Sequence, residues 1–340
     1  MKLLKVLNGT PDSVPPAWIM RQAGRYLPEY RALRQKAPSF MEFCFKPELT
    51  IEATLQPLRR FDLDAAIIFS DILVIPQALG QEVNFVSGEG PLLDPVDSGE
   101  KLKKLASKCD LEVLEPVFEA IKGVKASLSD VTPLLGFAGG PWTVLTYMIE
   151  GRGSKGKGHL KTLHFSLQAP TLFKVLLDRV VEATIEYLSC QIEAGADALK
   201  IFESWASSVP ASRREDLLYE PLSRITGGLK RKYPNTPLIL FPKGLPSQAL
   251  EELRKRIKID AIAYDASLSP SVILDQSREV VQAGPDTSFL LSGGRPLRDE
   301  VRRYKKTFEE TPYIFNLAHG IVPEAPIEHV HEMLSYLRES

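Results

Sequence analysis

The sequence predicts an α/β protein built as a single (β/α)8 barrel of the TIM type with extra helices, its site at the C-terminal rim of the strands. Three observations predict it. Eight short β-prone runs recur along the chain, most of them apolar throughout, as strands buried on both faces should be. Amphipathic helical stretches lie between them, Leu172–Ile192 and Gln248–Ile257 being the clearest. Each run ends abruptly in polar or glycine-bearing residues, and in a barrel all such ends share the one rim where active sites are built. A doubly wound open sheet explains the first two observations as well, and the pattern alone leaves it as the alternative.

In order, the first run, Ala17–Met20, delivers Arg21-Gln22-Ala23-Gly24-Arg25. Planar, permanently charged guanidinium groups suit two-pronged binding of carboxylate or phosphate, and a glycine lets the backbone turn beside a ligand. Ala65–Phe69 is followed by Ser70-Asp71, and Thr132–Phe137 by Ala138-Gly139-Gly140-Pro141. Ala198–Phe202 leads to Glu203-Ser204, Pro237–Phe241 to Pro242-Lys243-Gly244, and Ala261–Tyr264 to Asp265. The last two runs are Ser288–Leu291, before Ser292-Gly293-Gly294-Arg295, and Tyr313–Leu317, before Ala318-His319-Gly320. The long interval from Ile72 to Val131 leaves room for helices beyond a minimal barrel. The 340 residues permit one large domain or two medium ones, and no repeat or low-complexity linker divides them.

Forty-two basic residues against 43 acidic ones give a net charge of −1, without the basic excess of a nucleic-acid-binding domain. No apolar stretch approaches the roughly 20 residues of a membrane span, and the apolar part of the N-terminus is too short for a signal peptide. Cys44, Cys109 and Cys190 are odd in number and widely spaced, which argues against a disulfide framework or a zinc cluster and fits a reducing, cytoplasmic setting.

Some apparent motifs carry little. Gly151–Gly158 matches G-x-G-x-x-G and nearly a P-loop. Gly158 stands where the magnesium-binding hydroxyl should be, and the preceding Trp142–Glu150 reads as a helix instead of a strand. A glycine-lysine loop beside an anionic site is the better expectation. His329 and His331, two apart on a helix, diverge by about 200° and make no metal pair; a solvated terminal helix is expected there. Asp62 and Asp64 sit at a run boundary and are assigned nothing. His319 shares the expected rim with Asp71 and the arginines, which points to binding or proton handling.

Met20-Arg21-Gln22-Ala23-Gly24-Arg25-Tyr26-Leu27-Pro28-Glu29 resembles the N-terminal signature of the uroporphyrinogen decarboxylase family. Gly136–Thr143 resembles its second signature, and Phe69–Leu73 with Pro76–Gly80 a third block. Phe202-Glu203-Ser204 and His319-Gly320 fall where the family has them. The likeness runs from about residue 15 to the C-terminus.

The resemblance implies a barrel that is a single domain over 1–340, a homodimer, and a cofactor-independent carboxy-lyase without a metal. Its substrate is an anionic tetrapyrrole, uroporphyrinogen III, whose four acetate carboxyls are lost to give coproporphyrinogen III. The substrate carries eight carboxylates at its edge and four pyrrole N–H groups at its centre. By this resemblance Arg21 and Arg25 hold edge carboxylates, assisted by Gln22, Ala23 and Gly24. Asp71 accepts the central N–H groups, and Tyr147, Ser204 and His319 contact acetate or propionate. Arg34 is a lesser candidate. Asp71 and Arg21 are the catalytic pair, because each acetate leaves after ring protonation makes the pyrrole a cationic electron sink that a nearby carboxylate stabilises. The proton donor is not legible; Arg21 or a bound water is favoured.

Two departures stand out. Gly293-Gly294-Arg295-Pro296 occupies the expected place of the family's Gly-Asn-Leu-Asp-Pro, and Ala266-Ser267 follows Asp265 where a tryptophan is common. Both are expected on the rim. A corrinoid-linked thiol methyltransferase on the same barrel is the nearest rival, but no cysteine lies two after a histidine or directly after a run. A non-catalytic tetrapyrrole carrier is the rival from another class, and the retained Asp71 argues against it.

Overall fold

The computed structural model describes residues 1–86, 88–153 and 158–339. Among them are the strands β1 (Ala66–Ile67), β2 (Val83–Val86), β3 (Gly90–Leu93), β4 (Leu134–Gly139) and β5 (Ala198–Glu203). They continue with β6 (Leu238–Pro242), β7 (Ala261–Ala263), β8 (Val280–Ala283) and β9 (Tyr313–Phe315). Seven form one parallel sheet in the order β1-β4-β5-β6-β7-β8-β9, while β2 and β3 pair as a separate antiparallel hairpin. Parallel neighbours need a long crossover, and helices supply it, the longest being Pro170–Ala194 between β4 and β5. Both faces are covered, so β4, β5, β6 and β8 are buried at every position.

Six of the eight expected runs coincide with sheet strands. The first does not become a strand. Ala17 makes one parallel bridge to Phe315, the Phe315 N–H donates to Pro16 (2.9 Å), and the Asp64 N–H donates to Ala17 (2.8 Å). Side chains take the other ladder positions. Asp64 accepts the Ala17 N–H (2.7 Å), Gln22 the Ile19 N–H (3.0 Å) and Asn316 the Met20 N–H (2.9 Å). Asp64, given no role by the sequence, thus seats this segment and also pairs with Arg338 at 2.6 Å.

The expectation at Ser288–Leu291 is wrong. That segment lies in the helix Thr287–Ser292, whose cap is Asp286 accepting the Ser288 N–H at 2.9 Å. Leu290 is fully buried but Leu291 is 42% exposed, a one-sided pattern that fits a helix and not a doubly covered strand. The strand here is β8, obscured in sequence by its polar Gln282 and by Arg278-Glu279 just before it. Gly293-Gly294-Arg295 is therefore not a strand-end cap; it joins two helices, and Gly284-Pro285-Asp286 follows the strand instead. His329 fills the space beside Gly293, where a Cβ would meet its ring Nε2 at 2.4 Å. Of the C-terminal histidines His329 packs, its Nδ1 2.8 Å from the Leu290 carbonyl, while His331 is exposed as expected, its ring tilted against Phe61 at 4.8 Å.

The inner face of the sheet follows from register. Phe137, Lys200 and Ile239 are laterally aligned, and so are Phe202 and Phe241 one layer higher. Lys200 is 1% exposed and lacks a hydrogen-bond partner; its Nζ lies 5.0 Å from the Trp18 ring, 5.3 Å from Phe202 and 5.5 Å from Phe241. Burial without an anionic partner drives its pKa well below the ordinary lysine value. Two residues beyond Phe202 on the same face is Ser204, beyond Phe241 is Lys243, and beyond Phe69 is Asp71.

Candidate active site

A cavity of about 330 Å³ sits at the carboxyl end of the sheet. Its wall is aromatic and aliphatic, with Phe69, Phe137 and Phe202 from strand ends and Phe85 from the β2–β3 hairpin. Into it project Arg21, Asp71, Tyr147 and Ser204, while Gln22 and Ala23 form part of its edge. An apolar wall with few convergent polar groups is the usual make-up of a small-molecule site. Six of the nine expected site residues therefore converge. Gly24, Arg25 and His319 stand outside this lining.

Arg21 is held by what surrounds it in the chain. Met20 is pinned from both sides, its N–H on Asn316 and its carbonyl accepting the Ile321 N–H at 2.9 Å. The chain then turns sharply, and Arg21 takes φ 61°, the sole non-glycine residue with positive φ among those described. Such a conformation costs on the order of 1–3 kcal/mol and persists only when neighbours enforce it. Gln22 is the enforcer. It is 2% exposed, accepts from Ile19 and donates to the Ala65 carbonyl at 3.2 Å, so its amide is committed to backbone. Gly320 makes room for the arginine stem: a Cβ there would lie 2.4 Å from Arg21 Cδ and 2.6 Å from Cγ. The glycine after His319 is thus explained by a side chain three hundred positions earlier.

Asp71 follows β1 by four residues and lines the cavity, and its Oδ1 accepts the Leu73 N–H at 2.8 Å. Desolvation raises its pKa from 3.8 to about 6 against the opposing pull of that hydrogen bond and of Arg21. No ion pair within 4.0 Å joins it to Arg21, so the two face the cavity as separate charges. For Arg21 desolvation is the largest influence and lowers its pKa, Asp71 opposing and Arg25 adding to it. Desolvation and then Asp71 raise the Tyr147 phenol. Arg21, Asp71 and Tyr147 therefore feel one another across the same space.

Tyr147 is carried by the helix Pro141–Glu150, and a carboxylate the sequence analysis passed over anchors that helix. Glu203 is fully buried, accepting the Trp142 N–H (3.1 Å), the Thr143 N–H (2.7 Å) and the Thr143 hydroxyl. An acceptor at a helix N-terminus meets its unpaired N–H groups and dipole. Burial still outweighs those bonds and raises Glu203 to about 7. Gly140 has no side chain because Glu203 occupies the place: a Cβ would lie 2.3 Å from its Oε2. The Thr143 hydroxyl also accepts the Trp205 N–H at 3.2 Å, and the Trp205 ring lies 6.5 Å from Tyr147. The trace of this contact in the sequence is Gly140 before Pro141, while Gly139 is small against Val144 and Ile72.

His319 follows β9, next to the Ala17 segment and to Gly320 against the Arg21 stem, but outside the cavity lining. Burial, then Lys243, then Arg21 push its pKa down to about 4, so it is neutral near pH 7. Arg25 is exposed at the outer edge, its carbonyl accepting from Arg31 at 2.7 Å. Arg34 faces away, its guanidinium over Phe40 and Phe43, each 5.9 Å distant, and bonded to the Ala37 carbonyl. Gly151 is the left-handed C-cap of the Tyr147 helix (φ 75°), which accounts for the first glycine of the G-x-G-x-x-G match; residues 154–157 of that loop lie outside the described residues. Cys44, Cys109 and Cys190 are free thiols away from the strand ends, and among the described residues no three metal-ligating side chains cluster.

The model of the uroporphyrinogen decarboxylase family matches residues 1–340. A uroporphyrinogen decarboxylase of Ruegeria pomeroyi is 44% identical over 341 residues, covering 99% of this chain and 98% of that one. That of Rhodospirillum rubrum is 43% identical over 337 residues, covering 98% and 96%. Among solved structures, a methyltransferase from Methanosarcina mazei superposes with a TM-score of 0.76 at 19% identity, over 99% of this chain and 97% of that one. A B12-independent methionine synthase from Shewanella reaches 0.55 at 12% identity, over 95% of each. The latter two share the fold.

Proposed function

Since the chain belongs to the uroporphyrinogen decarboxylase family, we propose that it converts uroporphyrinogen III to coproporphyrinogen III by removing four acetate carboxyls, a carboxy-lyase step of tetrapyrrole biosynthesis leading to haem and chlorophyll. One observation carries the assignment of residues: Arg21, Asp71 and Tyr147 share one apolar-walled cavity and perturb one another's charge. Arg21 and, from the outer edge, Arg25 hold substrate carboxylates two-pronged. Tyr147 and Ser204 donate hydrogen bonds to others, and neutral His319 does so without adding charge. Gln22 acts by holding the Arg21 turn, while Ala23 and Gly24 let the substrate approach the backbone.

Asp71 accepts the pyrrole N–H groups. When a ring is protonated, the cation forms over a carboxylate that is ionised above about pH 6 and already in place. Electrons of the breaking C–C bond flow into that ring and carbon dioxide leaves; the exocyclic methylene carbon then takes a proton to become methyl, and the ring gives up the proton it had gained, so one proton is consumed for each carbon dioxide released. No organic cofactor or metal is needed because the protonated pyrrole is the electron sink.

Leu3 to Leu337 belong to one hydrophobic cluster, which supports residues 1–340 as a single domain. We read Pro16–Met20 as the segment closing the seven-stranded sheet into a barrel, since it bonds to both Phe315 and Asp64. A homodimer working in the cytoplasm is the state the family resemblance implies; no described helix is long and apolar enough to cross a membrane. Anaerobic incubation with uroporphyrinogen III tests the function: stepwise loss of carboxyls to coproporphyrin is expected. Tight binding with unchanged substrate would replace the enzyme by a tetrapyrrole carrier.

A further inference from the structure

We propose that Lys243 is a further substrate-binding residue, its ammonium group taking a peripheral carboxylate of the tetrapyrrole on the arc of the rim between Ser204 and His319. The proposal rests on the tetrapyrrole reading above and extends it to a part of the rim that reading leaves without a cation.

Register places the side chain. Phe202 pairs with Phe241 and Glu203 with Pro242, and the Lys243 N–H donates to Glu203 at 3.2 Å, so the alignment continues past the strand ends. Ser204 and Lys243 are the next aligned pair, each two residues beyond an inward-facing phenylalanine. Ser204 lines the cavity; Lys243, aligned with it at the end of the neighbouring strand, lies just outside that lining.

Lys243 is half-buried and makes no ion pair within 4.0 Å among the described residues. Asp265, at the end of the neighbouring strand, does not neutralise it. One Asp265 oxygen accepts the Gly244 N–H and the other the Ser267 N–H at 2.8 Å, so that carboxylate shapes the loops. A half-buried cation without a partner is placed for an anion arriving from outside. Its field reaches across the rim, where it is the second cause, after burial, of the lowered His319 pKa, with Arg21 third. His319 thus lies within reach of two cations' fields and stays a neutral donor. Charge accounting agrees: eight carboxylates face Arg21 and Arg25 on one arc, and Lys243 supplies positive charge on the other.

The test compares wild type, Lys243→Met and Lys243→Arg in anaerobic steady-state kinetics with uroporphyrinogen III over a range of salt, alongside thermal melts. Expected for Lys243→Met is a KM raised about tenfold with kcat within about twofold, and a shallower salt dependence of kcat/KM. Lys243→Arg should recover most of the loss. An unchanged KM and salt slope in Lys243→Met would overturn the proposal. So would a fall in kcat with a lowered Tm that arginine does not rescue, the mark of a structural residue. Fluorescence quenching by uroporphyrin gives the same comparison without turnover. A wild type that binds but does not decarboxylate would sink the enzymatic reading while leaving the lysine's role decided by the binding ratios.

Discussion

Replacing Asp71 by asparagine separates what the carboxylate does for the reaction from what it does to the fold. The side chain keeps its shape, and the new amide oxygen still accepts the Leu73 N–H, so the backbone has no reason to move. The catalytic loss comes from the missing negative charge beneath the protonated pyrrole. At an effective dielectric of about 20, a unit charge ~4 Å away is worth roughly 4 kcal/mol, about three decades of rate. The stability effect has the opposite sign. Desolvation raises this carboxyl from 3.8 to about 6 despite Arg21, so the folded protein holds its ionised form at a cost above pH 6. The full shift is on the order of 3 kcal/mol, reduced to about 2 kcal/mol by water in the cavity. A Tm gain of about 3 °C follows for a chain of this length. Because the folded pKa is the higher one, the variant's advantage is complete above pH 6 and disappears as pH falls toward 4. The assays are decarboxylation kinetics and melts at pH 4.5 and 7.5. Turnover within tenfold of wild type, or a variant less stable at pH 7.5, would refute the reasoning.

Two further substitutions follow from close contacts and burial. Gly320→Ala puts a methyl 2.4 Å from Arg21 Cδ, and Gly320 itself has no left-handed backbone to strain; we expect kcat/KM to fall about 10–100-fold as the guanidinium shifts, with stability lowered by only about 1 kcal/mol, and wild-type kinetics would show that Gly320 does not position Arg21. Lys200→Met should raise stability by about 1–3 kcal/mol near pH 7, by removing an unpartnered buried amine. Since the folded pKa lies below the unfolded one, the wild-type penalty grows as pH falls from about 10.5, and the variant should lack that slope in pH-resolved melts.

The parts of the fold that were legible in sequence are those where one local rule decides the outcome. β4, β5 and β6 are uniformly apolar and end in glycine, proline or acid, so both their burial and their rim ends could be read. β8 could not, because its inward Gln282 breaks the apolar pattern and Leu290 with Leu291 imitated a strand nearby. Ala17–Met20 was recognised as a run but not as a segment whose ladder partners are the side chains of Asp64, Gln22 and Asn316. Those partners lie 47, 3 and 296 positions away. Site residues divide in the same way. Arg21, Asp71, Tyr147 and Ser204, which the structure brings into one cavity lining, were legible through strand ends and resemblance. Glu203 and Lys243 were listed as caps but given no role, since the role of each depends on its neighbours in space.

The glycine-bearing motifs carry the same lesson further. Gly140 and Gly320 read locally as turn-makers, yet neither has positive φ, and backbone freedom is not why they are glycine. Each is small because a side chain from elsewhere in the chain passes through the space where its Cβ would be: Glu203 against Gly140, Arg21 against Gly320. The residue that does take the left-handed conformation is Arg21, where a glycine would be easier to accommodate. A glycine there could not hold a carboxylate, the role proposed for Arg21, and Gly320 leaves the room in which its stem lies. Asp71, held ionised in the lining of an apolar-walled cavity, is a second costly feature in the same place. Strained arginine and desolvated carboxylate occupy one cavity, and on the proposed reaction each is needed charged, before any substrate arrives, at the point where charge will develop.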